Sequence, residues 1–436
     1  MKVFGAKLYF TSFLVIVFIS VTPFLHAQTQ WTKYAGNPIL TKGPDNFDIL
    51  AIGQPAVLFE NDTIKMWYGG VGNDWKSRIC YAWSTDGINW TKHSQPVLDV
   101  GGPGEWDRGW VDTPEIIKDS SGYKMLYYGD TAWQFSAINS SIGLAYSSDG
   151  INWTKEATNP VFFKGNPGEW DGSWVESPAL YRDNITGEYM MWYNGVDTST
   201  WKIQIGLATS VDAVNWIRHP SNPLLTNSNW GGYDDMWLGT PAVLFIGNKF
   251  ELWYSSTAAA SYNGSTSSFD TINICLATSP DGINWTKHVS NPLFHTYTSP
   301  YSANIDQGGP WAPDVIFNPS SQTYMMFYEA EGGVADYTIS LATAPRDTLS
   351  ISSSLSCNGV KVFPNPFTNT ATVCLTRPVN DAVISLFDNV GKKVRHQNHF
   401  SGTSFEIVRD DLKSGLYFLT IEENGNIPGR IKIIIQ

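Results

Sequence analysis

Two carboxylic acids stand at equivalent places in the sequence, because each lies two residues before a proline. Asp112 precedes Pro114, and Glu176 precedes Pro178. Cleavage of a glycosidic bond requires two carboxyl groups, one protonated to assist the leaving oxygen and one ionised as base or nucleophile. The spacing therefore makes Asp112 and Glu176 a candidate catalytic pair.

Aromatic and further acidic side chains lie close to the same kind of proline. Four tryptophans stand two or four residues before one: Trp110, Trp174, Trp237 and Trp311. Indole rings stack on flat sugar faces, but they also pack between sheets, and both interpretations remain open. Glu115 and Asp314 come one residue after Pro114 and Pro313 and are further candidates for substrate binding.

The prolines belong to five similar segments, in which a proline is followed by an apolar run, a turn and an aromatic strand. The five are Pro55, Pro114, Pro178, Pro241 and Pro313. An aspartate stands seven residues before each of them: Asp48, Asp107, Asp171, Asp234 and Asp306. A residue repeated in every copy favours an architectural role, whereas acids found in only some copies are better candidates for chemistry.

A second motif, Ser-x-Asp-Gly/Ala-x-Asn-Trp, follows four of these segments. Its aspartates, at positions 86, 149, 212 and 281, are spaced 63, 63 and 69 residues apart, which indicates one repeated supersecondary unit. An Asp-Gly pair favours a tight turn, so each copy predicts a hairpin. Together with the proline segment, each repeat offers four strands, the content of one propeller blade.

The fifth repeat lacks this motif and its last strand. Near the N-terminus, residues 30–33 read Gln-Trp-Thr-Lys, much like Asn-Trp-Thr-Lys at 152–155. We expect the N-terminal segment to supply the missing strand, because closing the ring removes open sheet edges. The prediction is an all-β protein, with a five-bladed β-propeller over residues 31–347 and a small β-sandwich after it.

The two ends of the chain indicate export. Residues 1–27 carry two lysines, an apolar stretch and a small-residue exit at Ala27, as secretory signal peptides do, and no other stretch is long and apolar enough to span a bilayer. A serine-rich linker at 348–358 leads to residues 359–436. Their segments 362–367 and 386–394 resemble the C-terminal sorting domain of the type IX secretion system of Bacteroidetes. The resemblance implies passage through the periplasm and outer membrane to the cell surface or medium, with the type IX machinery as a partner.

The charge and composition of the chain limit the classes of ligand and partner that it can bind. Residues 359–436 hold nine Lys/Arg and seven Asp/Glu, which leaves 19 against 33, a net charge of −14, for the rest of the chain. Such an acidic body argues against nucleic acid as a partner, because phosphate binding needs basic surfaces. No compact group of metal ligands is visible, so neither a metal nor another cofactor is expected. Cys357 and Cys374 are close enough in sequence to form a disulfide.

With its Ser-x-Asp-Gly turns and Trp-Tyr strands, the propeller resembles the five-bladed glycosidases of the arabinanase, levansucrase and invertase group, especially glycoside hydrolase family 43. The resemblance implies hydrolysis of a plant or algal poly- or oligosaccharide. Glu176-Ser177-Pro178 is similar to that family's Glu-Gly-Pro, which would make Glu176 the general acid. The family's base is an Asp directly before the first proline, where this chain has Gln54.

Because glutamine cannot act as a base, the departure at Gln54 leaves three hypotheses open. Asp112 or Asp48 could serve as the base in its place. The pocket could instead bind glycans without cleaving them. The third hypothesis is a mannoside phosphorylase of related fold, which would require a basic pocket for phosphate. The basic residues nearest in sequence to the two acids are Arg108 and Arg182.

Overall fold

The structure is a computed structural model, and it forms two compact units that divide after Arg346. The described residues are 31–132, 140–184, 186–197, 199–246, 249–263, 268–269, 271–296, 298, 305–318, 321–332, 336–345, 361–363, 365–388, 392–423 and 430–435. The signal peptide predicted at 1–27, the linker predicted at 348–358 and Cys357 lie outside them. No helix among the described residues has the length and apolar character needed to cross a membrane.

Five consecutive modules of antiparallel strands make up the larger unit, after a short first strand, β1 (Thr32–Lys33). Module 1 contains β2 (Ala51–Glu60), β3 (Thr63–Val71), β4 (Ser77–Ser84) and β5 (Thr91–Lys92). Module 2 contains β6 (Trp110–Asp119), β7 (Gly122–Asp130), β8 (Ser141–Ser147), β9 (Thr154–Lys155) and β10 (Phe162–Phe163). Module 3 contains β11 (Trp174–Arg182), β12 (Tyr189–Asp197), β13 (Lys202–Ser210) and β14 (Ile217–Arg218).

The last two modules follow the same order. Module 4 contains β15 (Trp237–Ile246), β16 (Lys249–Thr257), β19 (Asn273–Ser279), β20 (Thr286–Lys287) and β21 (Phe294–His295). Between β16 and β19 lie a 3₁₀ turn (Ala259–Ser261) and the small pair β17 (Tyr262–Asn263) and β18 (Ser268–Phe269). Module 5 contains β22 (Gly309–Asn318), β23 (Thr323–Glu331) and β24 (Tyr337–Pro345), and its fourth strand is β1.

The innermost strands of the modules, β2, β6, β11, β15 and β22, contact one another in a cycle, because each touches the next and β22 touches β2. The N-terminal strand completes this arrangement: Thr32 pairs with Thr343, and the ring of Trp31 packs against Trp253 and Phe294 of module 4. The expected donation of the last outer strand by the N-terminus is therefore confirmed. The architecture is propeller-like and nearly all β.

Each repeated Ser-x-Asp motif is a hairpin turn, as predicted. In the first, the Asp86 carboxylate accepts hydrogen bonds from the backbone N–H groups of Ile88 and Asn89, both 2.8 Å, and Gly87 takes a φ of 75°. Trp90 then donates its indole N–H to the carbonyl of Gly87 (3.1 Å). The motif is structural in all four copies, since the other three repeat these bonds.

The aspartate seven residues before each proline ties an outer strand to its module. Asp48 is fully buried, accepts a hydrogen bond from the Tyr68 hydroxyl (3.2 Å) and forms an ion pair with Lys92 of β5 (2.6 Å). The other four aspartates pair in the same way with Lys155, Arg218, Lys287 and Lys33. The hypothesis that Asp48 is a base or a substrate contact is wrong, because its carboxylate is enclosed and neutralised by a cation.

The C-terminal unit is a single five-stranded antiparallel sheet. Its strands are β25 (Lys361–Phe363), β26 (Thr370–Asp388), β27 (Lys393–Val408), β28 (Gly415–Glu422) and β29 (Arg430–Ile435). The long β26 pairs with β25, β27 and β28, and its register shifts repeatedly between Cys374 and Ile384. Apolar residues such as Val373, Leu419 and Ile433 form one core. The predicted β-sandwich is thus replaced by one irregular sheet, because β26 runs through it without a break.

Candidate active site at the axis of the modules

The residue before each of the five prolines adopts the same unusual backbone conformation. Its φ is positive, at 44–51°, in every module: Gln54, Thr113, Ser177, Thr240 and Ala312. The innermost strand is bulged at this point in each module, since its pairing register shifts there. These five residues and four of their prolines, Pro55, Pro114, Pro178 and Pro313, line one narrow pocket at the axis. We call this pocket wall the X-Pro ring.

The X-Pro ring separates two levels along the axis. Residues before the prolines lie towards the end where the innermost strands begin, which we call the mouth. Turns between the second and third strands of a module also lie at the mouth, because antiparallel strands reverse direction at each turn. The Ser-x-Asp-Gly hairpins lie at the opposite end, and residues after the prolines lie beyond the ring.

Asp112 is on the mouth side of the X-Pro ring, but it is enclosed. Only 6% of its surface is exposed. One oxygen accepts the Thr113 N–H (2.8 Å), and the other accepts the Ser77 hydroxyl (3.1 Å) and the Trp110 indole N–H (3.0 Å). Burial raises the pKa of this carboxyl to about 6. The predicted role of base fits this geometry poorly, because a base must reach water and Asp112 has its oxygens occupied.

Trp110 shares the burial of Asp112. Its ring is 4% exposed, and its N–H is held by the Asp112 carboxylate. A stacking platform must present a ring face to the ligand, so the prediction that Trp110 binds substrate is wrong. Its role is to hold the acid in place.

Glu176 occupies the same level in module 3 and is only half-buried. It pairs in register with Asn194 of β12, whose side-chain N–H₂ group lies 3.4 Å from the Glu176 Oε1 atom. A contact of that length is a weak hydrogen bond. Glu176 therefore lies at the mouth and is less buried than Asp112.

A third carboxyl group at this level, Glu329, was missed by the sequence analysis. It lies on β23, opposite Trp311, and its Oε2 accepts the backbone N–H of Gln54 from module 1 (3.1 Å). Gly53 makes room for it, since a Cβ atom there would lie 2.0 Å from the same oxygen. Burial, and then the negative charge of Asp112, raise the pKa of Glu329 to about 8. It is half-buried, and the raised pKa favours its protonated form at neutral pH.

The signal for Glu329 was present in the repeat but on the second strand. The residue after the tyrosine that bonds the repeated aspartate is Gly69, Tyr128, Asn194, Ser255 or Glu329. Only module 5 has an acid there. A comparison restricted to positions around the prolines could not reveal it.

Glu115 and Asp314 lie beyond the X-Pro ring. The Glu115 carboxylate accepts the Leu180 N–H of module 3 (2.9 Å), and that of Asp314 accepts the Val57 N–H of module 1 (2.5 Å). The other three modules have alanine at this position. Each carboxylate accepts a backbone N–H of the next module on the far side of the ring, and their contact with substrate stays a prediction.

The pKa values of Glu115 and Asp314 are raised. Burial is the main cause for both; it lifts Asp314 to about 6, and the charge of Asp314 raises the pKa of Glu115 further. When the pKa of a carboxyl group is higher in the folded than in the unfolded protein, its ionised form lowers the free energy of unfolding at pH values above the folded pKa. This destabilisation disappears as the pH falls from the folded pKa to the unfolded pKa. Glu115 therefore weakens the fold in alkaline solution.

Glu115→Gln is expected to stabilise the protein at pH 8 and to have a much smaller effect at pH 5, because burial and the charge of Asp314 raise the pKa of Glu115 and so disfavour its ionised form. Glutamine keeps an oxygen for the Leu180 N–H. Thermal unfolding at the two pH values measures the difference.

Glu60 offers a control of opposite sign. Although burial raises its pKa, hydrogen bonds from Lys118, Lys65 and Tyr123 outweigh this and lower it to about 2. Glu60→Gln should therefore destabilise the protein at pH 8. Equal destabilisation by both variants would show that the ionised Glu115 supports the fold.

Three of the predicted tryptophans remain at the mouth. Trp174, Trp237 and Trp311 are half-buried, and the rings of Trp237 and Trp311 lie 6.2 Å apart in an edge-on arrangement. Trp311 is also the register partner of Glu329. The structure thus brings three of the four tryptophans near the carboxyl groups, in modules 3 to 5.

Cations and metal ligands are sparse at this site. Within the described residues, no group of three or more His, Cys, Asp or Glu side chains is placed to hold a metal ion. Arg108 is exposed and donates to the Thr131 carbonyl (3.4 Å), and Arg182 ends β11 at the far side, over the Tyr189 ring. Neither lysine nor arginine is found among the described residues that line the axial pocket.

Family comparisons match two parts of the chain. Residues 361–436 match the secretion system C-terminal sorting domain, so the protein is exported by type IX secretion to the cell surface or the extracellular space. Residues 133–311 match the family described as beta-1,4-mannooligosaccharide phosphorylase. That second match includes Glu176 and the mouth tryptophans of modules 3 to 5, but neither Asp112 nor Glu329.

Curated relatives are similar over about a third of the chain. An uncharacterized protein of Mycobacterium tuberculosis is 27% identical over 157 residues, 35% of this chain and 48% of that protein. A beta-1,2-mannobiose phosphorylase of Thermoanaerobacter sp. is 27% identical over 179 residues, 37% of this chain and 53% of that protein. The chain spans about half the length of the curated relatives it matches.

Solved structures share the fold over most of the larger unit. A glycoside hydrolase has a TM-score of 0.57 at 20% identity and covers 72% of this chain and 92% of its own. A structure from the GH130 mannoside phosphorylases, a family reported to contain hydrolases of beta-1,2 mannosidic linkages in Candida mannan, has a TM-score of 0.56 at 18% identity, covering 73% and 95%. A thermostable family-43 glycoside hydrolase has a TM-score of 0.52 at 18% identity, covering 69% and 92%.

These likenesses refine the family 43 resemblance seen in the sequence. Family 43 appears among the structures of similar fold, whereas the sequence-level match is to the mannooligosaccharide phosphorylase family. The molecule is therefore an exported protein whose larger unit has a propeller-like fold shared with enzymes that act on glycosides.

Proposed function

We propose that this protein is a secreted glycoside hydrolase that cleaves β-mannosidic bonds in a polysaccharide or oligosaccharide. The five modules would be the blades of a five-bladed β-propeller, and the reaction would take place at the mouth above the X-Pro ring. The observation that carries the proposal is the presence of Asp112, Glu176 and Glu329 at one level of this mouth, with no cation in the pocket wall.

The environments of the three acids suit different tasks. Glu329, with a pKa of about 8, holds the proton that a leaving glycosidic oxygen requires. Glu176 is accessible and can act as base or nucleophile. Asp112 is a positioning residue, because its enclosed negative charge keeps the Glu329 proton in place. This assignment moves the acid from Glu176 to Glu329.

Phosphorolysis is the second candidate, and the family match over residues 133–311 favours it. A phosphorylase must hold an inorganic phosphate dianion beside the sugar, which normally requires arginine or lysine donors. Among the described residues, the axial pocket wall offers neither, and the nearby carboxyl groups of Asp112 and Glu176 would repel the phosphate. A propeller that binds glycans without cleaving them, suggested by Gln54, is the third candidate.

One product assay separates the three candidates. The purified protein is incubated with β-1,4-mannohexaose or β-1,2-mannotetraose, with and without inorganic phosphate, and the products are resolved by chromatography. We expect shorter mannosides and free reducing ends without phosphate. Mannose 1-phosphate formed only with phosphate would instead establish a phosphorylase, and binding without any product would establish a glycan-binding protein.

A further inference from the structure

Two tryptophans outside the predicted site lie at the mouth in positions that are unfavourable for a large apolar side chain. Trp75 and Trp201 are 67% and 55% exposed, and both have a positive φ, 58° and 55°. Each stands in the turn between the second and third strands of its module, directly before a lysine. Gly or Asn is the favoured residue for such a conformation, and a bulky side chain there adds strain to the exposure of a large apolar ring. The turn itself does not require tryptophan.

Trp201 extends a row of indoles that leads to the acids. Its ring lies 6.3 Å from that of Trp174, and its carbonyl oxygen accepts the Trp237 indole N–H (3.2 Å). Trp237 is in turn 6.2 Å from Trp311, the register partner of Glu329. We call these four residues the aromatic ridge. It runs across modules 3, 4 and 5, from an exposed tip at Trp201 to the level of the proposed acid.

We propose that the aromatic ridge is an extended binding site for sugar rings of a neutral glycan chain, with Trp201 holding the units farthest from the bond that is cleaved. This inference rests on the proposed function for its orientation. Indole faces bind the apolar faces of sugar rings, and one ring along the row would serve each of several successive units. The X-Pro ring is too narrow to hold these units, so they must lie outside it.

Charge selects the class of glycan. The ridge passes near Glu176, and residues 1–358 carry a net charge of −14. Uronic acid or sulfated chains would be repelled by this field, whereas a neutral hexose chain would not. The site therefore favours neutral chains of several units over both single sugars and anionic polysaccharides.

Trp201→Gly tests the site. We expect the affinity for β-1,4-mannohexaose, measured by calorimetry on the full chain carrying Glu329→Gln so that the sugar is not cleaved, to fall at least tenfold, while the affinity for β-1,4-mannobiose changes less than twofold. Glycine adopts a positive φ without steric strain, so the melting temperature should stay the same or rise. Oligogalacturonate of the same length should bind neither protein.

Trp75→Gly is the matched control, since it removes an exposed ring, with a similar positive φ, from the equivalent turn of module 1. We expect it to keep the wild-type affinity for mannohexaose. Equal losses in both variants, or loss of mannobiose and mannohexaose binding together, would overturn the proposal. Because binding is measured apart from turnover, a protein that binds along the ridge but releases no product would contradict the hydrolase and leave the ridge intact.

Discussion

Glu329→Gln is expected to lower kcat on mannohexaose by about 10²- to 10⁴-fold, the range that removal of a general acid produces. The amide cannot give up a proton, but its oxygen can still accept the Gln54 N–H, so the fold should survive. Activity of the wild-type protein should fall as the pH rises through about 8, where Glu329 loses its proton. Initial rates across pH 5–10, with melting temperatures of each variant, measure both effects.

Asp112→Asn distinguishes a positioning role from a merely structural one. Burial raises the pKa of Glu329 first and the charge of Asp112 second, so removing that charge lowers it. We expect the alkaline limb of the pH profile to move to lower pH, with substantial activity left below it. Glu176→Gln, by contrast, should remove activity at every pH. An alkaline limb that Asp112→Asn leaves in place would contradict the coupling, and wild-type turnover by Glu329→Gln would refute its role as the acid.

The repeat made most of the fold predictable from the sequence. The Ser-x-Asp turns and the proline segments recur at fixed offsets, and each is stabilised by local hydrogen bonds, as the bonds from Ile88 and Asn89 to Asp86 show. The partner of β24 was also predictable, because residues 30–33 repeat the sequence of an outer strand. Such elements can be predicted because their stabilising contacts lie within a short stretch of the sequence.

The errors at the site come from contacts between distant parts of the chain. Asp48 was one alternative for the base, although its repetition favoured an architectural role, and Lys92, 44 residues away, neutralises it. Trp110 resembled a platform, but the fold turns its N–H onto Asp112. Glu329 reaches the backbone of Gln54 across 275 residues, at the seam where the last module meets the first. The position of a residue along one strand does not show which distant residue its side chain contacts in the fold.

The same seam gives the largest expected effect on stability. Deletion of residues 31–40 should lower the melting temperature by more than about 10 °C. Trp31 is only 5% exposed and packs in the core of modules 4 and 5. Loss of one such buried tryptophan side chain lowers the free energy of unfolding by about 3–5 kcal/mol. The deletion also removes Lys33 from the buried Asp306, leaving that carboxylate without its cation, and opens the edge of β24.

Addition of the missing strand in trans tests whether closure, rather than general damage, explains the loss. A synthetic peptide of residues 31–40 should bind the deleted protein and restore most of its melting temperature, because β24 and Asp306 still present the partners of the strand. The same peptide with Trp31→Ala should restore much less. Deletion with little effect on unfolding would show that the ring is held without its N-terminal strand. Loss that neither peptide reverses would show that the deleted protein no longer keeps the edge of β24 in its native form.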